Sequence, residues 1–255
     1  VTGHSKGSQS VSSLITNAAF DPIYNRTLGA DMITACALQA NAYMARTGAT
    51  AEQLARVSVK NHGNALLNPN AHLGMKLTVK DVLDSEMISD PLHRLDCSPV
   101  SDGCCAIIIA DEKRAKKAKK QPVWIKGVGM CADAYFLGDR DLSRSESLVK
   151  AAKSAYAMAG ISSPEKTIDI AEVYDAFSYQ ELMWLEGLGL CADGEAGASL
   201  AGAGNGTAAV WAPDTGPYQG FAVIADRNNA TDLRWTGNGA LTVHGTLYAP
   251  AAALD

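Results

Sequence analysis

Tyr174 and Asp175 are the residues of this 255-residue chain whose types and place most suggest chemistry. They follow an apolar run, Ile168, Ile170, Ala171 and Val173, that reads as a buried strand, and a helical segment begins just after them. Ser178 with Glu181 three residues later is a capping-box signature for that helix start. A phenol can donate one hydrogen bond or, with an ordinary pKa of about 10, act as an acid. Its neighbouring carboxyl can take or give a proton. Open α/β sheets place their chemistry where a strand gives way to a helix. The same spacing also fits a structural elbow in which both side chains only cap backbone groups, and spacing alone leaves the two readings open.

The elements that must hold this elbow are legible on either side of it. Helical character begins near Leu28, runs through Met32, Ala35, Leu38, Ala42 and Met44, and ends near Gly48. Thr50 with Gln53 caps a second helix whose apolar face is Leu54, Val57 and Ala65. A loop with Asn68-Pro69-Asn70 follows, then a short helix over 78–83 and an irregular, proline-punctuated segment over 87–100. Ser101-Asp102-Gly103 turns into an apolar strand over 104–110. A new unit begins at Gln121, with a strand over 123–128 and a helix capped by Ser143 and Glu146, running through Met158 and stopped by Gly160. With the strand before Tyr174 this gives β-α-β-α, the pattern of a layered α/β fold. After Gly197 the texture changes. Residues 198–208 are small and linker-like, and the strand-like runs 221–225 and 241–248 make a β-rich tail that does not continue the alternation.

Composition narrows the partners. Apolar content of 47% with 19% charged residues is that of a globular protein, and a formal charge of −5 gives no reason to expect nucleic acid. Lys113, Arg114, Lys116, Lys117, Lys119 and Lys120 form one basic cluster. It lies between two apolar strands, as a solvated helix or linker would, and an electropositive patch for an acidic cofactor is the alternative. Six cysteines show no Cys-x-x-Cys pair and no zinc spacing, so they read as reduced thiols of a cytoplasmic protein without a metal. No apolar stretch approaches the roughly 20 residues of a membrane span, and the start does not resemble a signal peptide.

Four stretches in order carry a family likeness: 59–72 (VKNHGNALLNPNAH), 76–83 (KLTVKDVL), 90–103 (DPLHRLDCSPVSDG) and the elbow 174–177 (YDAF). Residues 1 to about 197 resemble the middle of a thiolase of the sterol carrier protein-x or archaeal acetyl-CoA acetyltransferase type. The resemblance implies an incomplete thiolase-like layered α/β fold. Residues 1–120 would be the remnant of the first half with its loop domain, 121–197 the start of the second half, and 198–255 a linker and β-rich tail. Residues 237–250, with 225–229 before them, resemble β segments of bacterial secreted and pilus-assembly (Tad-type) proteins over about forty residues.

The chemistry implied is carbon–carbon bond formation or cleavage on coenzyme A thioesters, which act as substrates with no permanently bound cofactor. Tyr174 falls where thiolases place an Asn or His that positions a water for an oxyanion hole, with Asp175 beside it. Met32, His62, His72 and Phe177 are the implied substrate-contacting residues, although core packing accounts for Met32 and loop hydrogen bonding for the histidines equally well. The family's nucleophilic cysteine lies upstream of the matched region, and its Gly-Gly-His-Pro and late Cys-x-Gly motifs are not found here, His244 lacking the flanking glycines and proline. An inactive isolated chain is therefore expected. A thiolase-like retro-aldolase that works through tyrosines with an OB-fold, zinc-ribbon partner is one alternative, and a non-catalytic acyl-CoA-binding or assembly subunit is another. Exposed strand edges imply a homo-oligomer or pairing with a full-length thiolase-like subunit.

Overall fold

A computed structural model describes residues 2–4, 20–21, 23–25, 27–101, 103–118, 121–201, 208–211, 221–224, 241–244 and 246–248. The chain divides into two units, Val1–Ile168 with Glu172–Ala196 and Asp169–Ala171 with Gly197–Asp255. The first unit holds all the longer helices. Helix α1 spans Met32–Thr47, later than Leu28, because Asp31 and Thr34 close a reciprocal box: each backbone N–H donates to the other's side chain at 2.8 Å. Leu28 stands in the exposed turn before it. Gly48 ends the helix with φ 73°, a left-handed conformation that suits glycine. Helix α2, Ala51–Ala65, starts at the Thr50/Gln53 box the sequence predicts, and α3, Val79–Leu83, at the same device built from Thr78 and Asp81.

Short helices α4 (Glu112–Ala115) and α6 (Pro164–Thr167) flank the longer α5, Glu146–Ala159. Lys113, Arg114, Lys116 and Lys117 of the basic cluster are exposed on and after α4, as a solvated helix requires, while Lys119 and Lys120 lie outside the described residues. Ser143 and Glu146 do not cap α5. Ser145 is its N-cap without a side-chain bond, and Asp133 accepts from Ser147 N at 3.1 Å instead. Gly160, at φ 72°, closes the helix as expected.

The core is organised around α7, Ser178–Gly187, in which residues 178 to 183 are all buried. It packs against α1, α2 and α5. Tyr43 of α1, fully buried, donates its hydroxyl to Glu186 Oε1 at 2.6 Å. Arg46 bonds Glu186 at 3.1 Å, Asp193 at 2.7 Å and the Ser143 carbonyl at 3.1 Å. The phenol and the guanidinium thus anchor one end of α7 to α1. At the other side Tyr156 of α5 donates to the Leu188 carbonyl at 2.8 Å. Helix α8 spans Ala196–Ala201.

Strand structure in the first unit is sparser than predicted. β1 (Thr2–His4) pairs antiparallel with β4 (Gly103–Cys105), and β2 (Met87–Ser89) with β3 (Leu92–His93), which feeds a 3-10 turn over Arg94–Asp96 inside the segment read as irregular. The strand expected over 104–110 stops at Cys105. Residues 106–110 pair with nothing among the described residues, and Ile108 is 95% exposed. The strands expected over 123–128 and 168–173 do not form either, and Ile170 is 82% exposed. Apolar alternation marks the residues that would face a core, but a strand forms only where a neighbour accepts its backbone bonds. The segment near 127 is nonetheless fixed against α5. A Cβ on Gly127 would come 2.1 Å from the Ala155 carbonyl oxygen, and one on Gly129 1.8 Å from that of Ala151.

In the second unit β5 (Ala208–Trp211) pairs parallel with β7 (Leu241–His244), and β6 (Phe221–Ile224) with β8 (Thr246–Tyr248). Most of the predicted runs 221–225 and 241–248 is thus strand, and β5 begins at the end of the stretch read as linker. Residues 226–229 and 237–239, whose Asp-Arg-Asn-Asn and Gly-Asn-Gly sequences predict turns, lie outside the described residues.

Candidate functional site

The elbow is placed by residues 96–98. Ser98 N donates to the Ala176 carbonyl at 2.9 Å, Cys97 and Phe177 form an antiparallel bridge, and Ser178 Oγ donates to Asp96 Oδ1 at 2.6 Å. Asp96 in turn accepts from His93 N at 3.0 Å and from its Nδ1 at 3.3 Å. The capping box predicted from Ser178 and Glu181 therefore does not form. Phe177 is the N-cap, its N–H donates to Gln180 Oε1 at 3.3 Å, and both predicted cappers are committed to tertiary bonds. Phe177 itself is buried, stacked on Tyr179 with ring centroids 6.5 Å apart, and the Tyr179 hydroxyl donates to Gln39 at 2.7 Å.

Tyr174 and Asp175, consecutive along an extended chain, line two different cavities. Asp175 lines one of about 210 Å³ with Ser58, Asn61, His62, His72, Asp96, Cys97 and Ser178. Tyr174, 67% exposed, lines another of about 470 Å³ with Met130, Cys131, Leu148, Val173, Trp184 and Leu188. By residue type the first is polar and rich in titratable groups. The second is the more apolar, with Met130, Leu148, Val173, Trp184 and Leu188, although carbon makes up most of the exposed wall of both.

Burial raises the Asp175 carboxyl above the usual carboxylate range, opposed by the bond from Asn61 and reinforced by Glu181. A carboxyl so raised moves toward the pH at which acid and base forms are both available. Burial and the adjacent Asp175 raise the Tyr174 phenol, which keeps its proton and stays a donor. His62 Nδ1 lies 3.0 Å from the Leu73 carbonyl, an oxygen that can only accept. Nδ1 therefore carries a proton, and Nε2 is the acceptor of the neutral ring. His72 Nδ1 is 2.6 Å from Ser101 Oγ. Cys97 lines the polar cavity, but burial and then Asp96 push its thiol up to about 12, far from nucleophilic at neutral pH.

Of the residues singled out by sequence, His62, His72 and Asp175 meet at one cavity, Tyr174 is at the other, and Met32, half-buried at the head of α1, and Phe177 line neither. Sequence reasoning missed Asn61, Asp96 and Cys97 at the polar cavity and misassigned Ser178 and Glu181. A signal existed: Ser58, Asn61, His62 and Ala65 fall three, four and seven apart, one face of α2, and all four line the cavity. Among the described residues no group of three His, Cys, Asp or Glu could hold a metal ion, and no helix is long and apolar enough to cross a membrane.

Residues 130–210 match the family model described as thiolase C-terminal domain-like, a span that takes in α5, the elbow and α7. The chain is 41% identical over 162 residues to an acetyl-CoA acetyltransferase of Methanothermobacter thermautotrophicus, covering 63% of this chain and 42% of that one. The matched part of the chain is thus similar to the thiolase superfamily. Sterol carrier protein 2 of Gallus gallus is a further relative, 30% identical over 160 residues, 60% of this chain and 29% of its own. The fold likeness is thiolase-like α/β, present in part: the structure of an Ltp2-ChsH2(DUF35) aldolase superposes with a TM-score of 0.58 at 28% identity, covering 76% of this chain and 50% of that one. The chain thus spans less than half the length of both curated relatives.

Proposed function

We propose that the Tyr174–Asp175 elbow is the reacting corner of an acyl-CoA site, in a protein that makes or breaks carbon–carbon bonds on coenzyme A thioesters in the manner of an acetyl-CoA C-acyltransferase. One observation carries the proposal: two consecutive titratable side chains at one elbow line two separate cavities, one of them bearing His62, His72 and Asp96. In this account Asp175 is the acid/base, Tyr174 donates to the thioester oxygen where negative charge develops, and His62 and His72 contact substrate. Met32 and Phe177 are taken as substrate contacts in the complete site, although neither lines the two cavities. Coenzyme A enters and leaves as substrate, with no resident cofactor. Residues 1–120, 121–197 and 198–255 are taken as first-half remnant with loop domain, start of the second half, and tail.

Among the described thiols, Cys131 stands exposed at the Tyr174 cavity, its sulfur donating to the Ala132 carbonyl. Burial raises Cys36, Cys97 and Cys191, the last to about 11. Alone, the 255-residue chain should form no acyl-enzyme, and intact-mass measurement after incubation with acetyl-CoA checks this directly. Calorimetric titration with acetyl-CoA tests the site. Saturable binding that weakens in Asp175→Asn and His72→Ala is expected, and a flat titration of the wild-type chain would refute the acyl-CoA assignment.

A second reading, retro-aldol cleavage of an acyl-CoA, is favoured by the phenol at 174 combined with the raised thiols, and by the likeness to a solved aldolase. Under it Tyr174→Phe abolishes cleavage of a β-hydroxyacyl-CoA while acetyl-CoA binding survives. The exposed apolar runs at 107–109 and 123–130 favour association, either with a second copy or with a full-length thiolase-like subunit, and in the aldolase reading with an OB-fold, zinc-ribbon partner. The free thiols of Cys36, Cys97, Cys131 and Cys191, among the described residues, support a cytoplasmic location.

A further inference from the structure

Asn61 touches two carboxylates at once. Its side-chain nitrogen donates to Asp175 Oδ2 at 2.5 Å and to Glu181 Oε2 at 2.8 Å, so both amide hydrogens are used. Lys60, the residue before it, places Nζ 2.5 Å from the other oxygen of Glu181. The three elements concerned come from distant parts of the chain: Asn61 from the last turns of α2, Asp175 from the elbow, Glu181 from the first turn of α7. Glu181 is 4% exposed, so its charge is offset by Lys60 and Asn61 rather than by water. The amide orientation is dictated by its partners, since turning the oxygen toward them would set acceptor against acceptor on both sides.

We propose that Asn61 is the positioning residue of the site, holding the Asp175 carboxyl in the polar cavity beside His62 and His72 and offsetting the repulsion it meets from Glu181. The proposal rests on the reading of Tyr174 and Asp175 as the reacting corner. Its logic is the number of donors. One amide spans two carboxylates, so removing it takes a hydrogen bond from the charged form of each and leaves Lys60 engaged with Glu181 alone. The groups around Asp175 are then Glu181 on α7, Lys60 on α2 and Tyr174 on the elbow, with His62, His72, Asp96 and the Cys97 thiol lining the same cavity. Asp175 loses a donor that favours its ionised form, while the negative charge of Glu181 remains.

The test follows the titration of Asp175 by ¹³C NMR of aspartate carboxyl carbons in the full 255-residue chain, the signal being assigned with Asp175→Asn. Asn61→Leu keeps the volume of the side chain and removes both donors. Its Asp175 midpoint should rise by about one pH unit, a tenfold change in acid constant. Glu181→Gln removes the repelling charge and leaves an oxygen for Asn61 to donate to, so the midpoint should fall. This second variant keeps the test open if Asn61→Leu does not fold. A packing role alone predicts an unmoved midpoint in both, and that result overturns the proposal. Acetyl-CoA titration of the same wild-type sample separates the two layers. A midpoint that moves in a chain that binds no acetyl-CoA upholds the positioning and refutes the acyl-CoA assignment, whereas an unmoved midpoint refutes the positioning whether or not acetyl-CoA binds.

Discussion

Residues 177–183 carry Ser178, Gln180 and Glu181 beside their apolar side chains and are wholly buried, whereas 106–110 read Ala-Ile-Ile-Ile-Ala and Ile107, Ile108 and Ile109 stand exposed. The helix that carries the first satisfies its own backbone hydrogen bonds, so its side chains need only surfaces to pack on, and α1, α2 and α5 supply them. An extended segment must find a neighbouring strand before burial becomes favourable. Among the described residues none pairs with 106–110. The more apolar stretch is thus the exposed one, and backbone satisfaction rather than side-chain hydrophobicity decides which becomes core.

The contrast can be broken most sharply by truncating one residue from each kind of stretch. Leu182, fully buried in α7, should cost about 2–5 kcal/mol as Leu182→Ala, read from urea unfolding. A loss below about 1 kcal/mol would mean that α7 is not the core. Next in size is Gly129→Ala. The extended run near residue 129 has a tight anchor on α5, and the new methyl would meet the Ala151 carbonyl oxygen, so a loss of about 1–3 kcal/mol is expected in the same assay.

Asp175→Asn probes the junction between the two kinds of region. Burial raises the Asp175 carboxyl above its unfolded-state value, so between those two values the folded chain holds more protons than the unfolded one. Stability from this group is thus present at low pH and is lost as pH rises through the folded value. At pH 7 Asp175→Asn should be as stable as the parent or more so, by a few tenths of a kcal/mol once solvent screening of a half-exposed group is allowed for. A stabilising effect that grows as pH falls below the carboxylate range would contradict the assignment. The smallest stability change is expected for Ile108→Ser, within about 0.5 kcal/mol. That substitution should instead shift the chain toward smaller species in size-exclusion chromatography, if the exposed isoleucines drive association.

Much of this arrangement was legible in the sequence because it depends on neighbours in the chain. The Thr50/Gln53 box, the Gly48 and Gly160 stops and the Thr78 start are local devices, and each is found where the residues put it. Ser178 and Glu181 show where local reasoning stops. Their spacing satisfies a capping rule, but Asp96 and Asn61, both more than 80 residues earlier, recruit the two side chains instead. The strand predicted over 104–110 stops at Cys105, and those at 123–128 and 168–173 do not form, for the same reason, since pairing is a property of partners that alternation does not reveal. At the site, the family likeness pointed to His62, His72, Tyr174 and Asp175. That the elbow sends its two titratable groups to different cavities could not be read from their adjacency, which says nothing of the backbone direction at each residue.

The central claim is that the elbow is where a coenzyme A thioester is handled, and site-resolved NMR tests it most directly. Acetyl-CoA is titrated into chain labelled at the tyrosine rings and aspartate carboxyls. Saturable shifts of Tyr174 and Asp175 are expected, with Tyr135 and Asp139 unmoved as exposed references. Shifts confined to other residues, or none at saturating acetyl-CoA, would contradict the account.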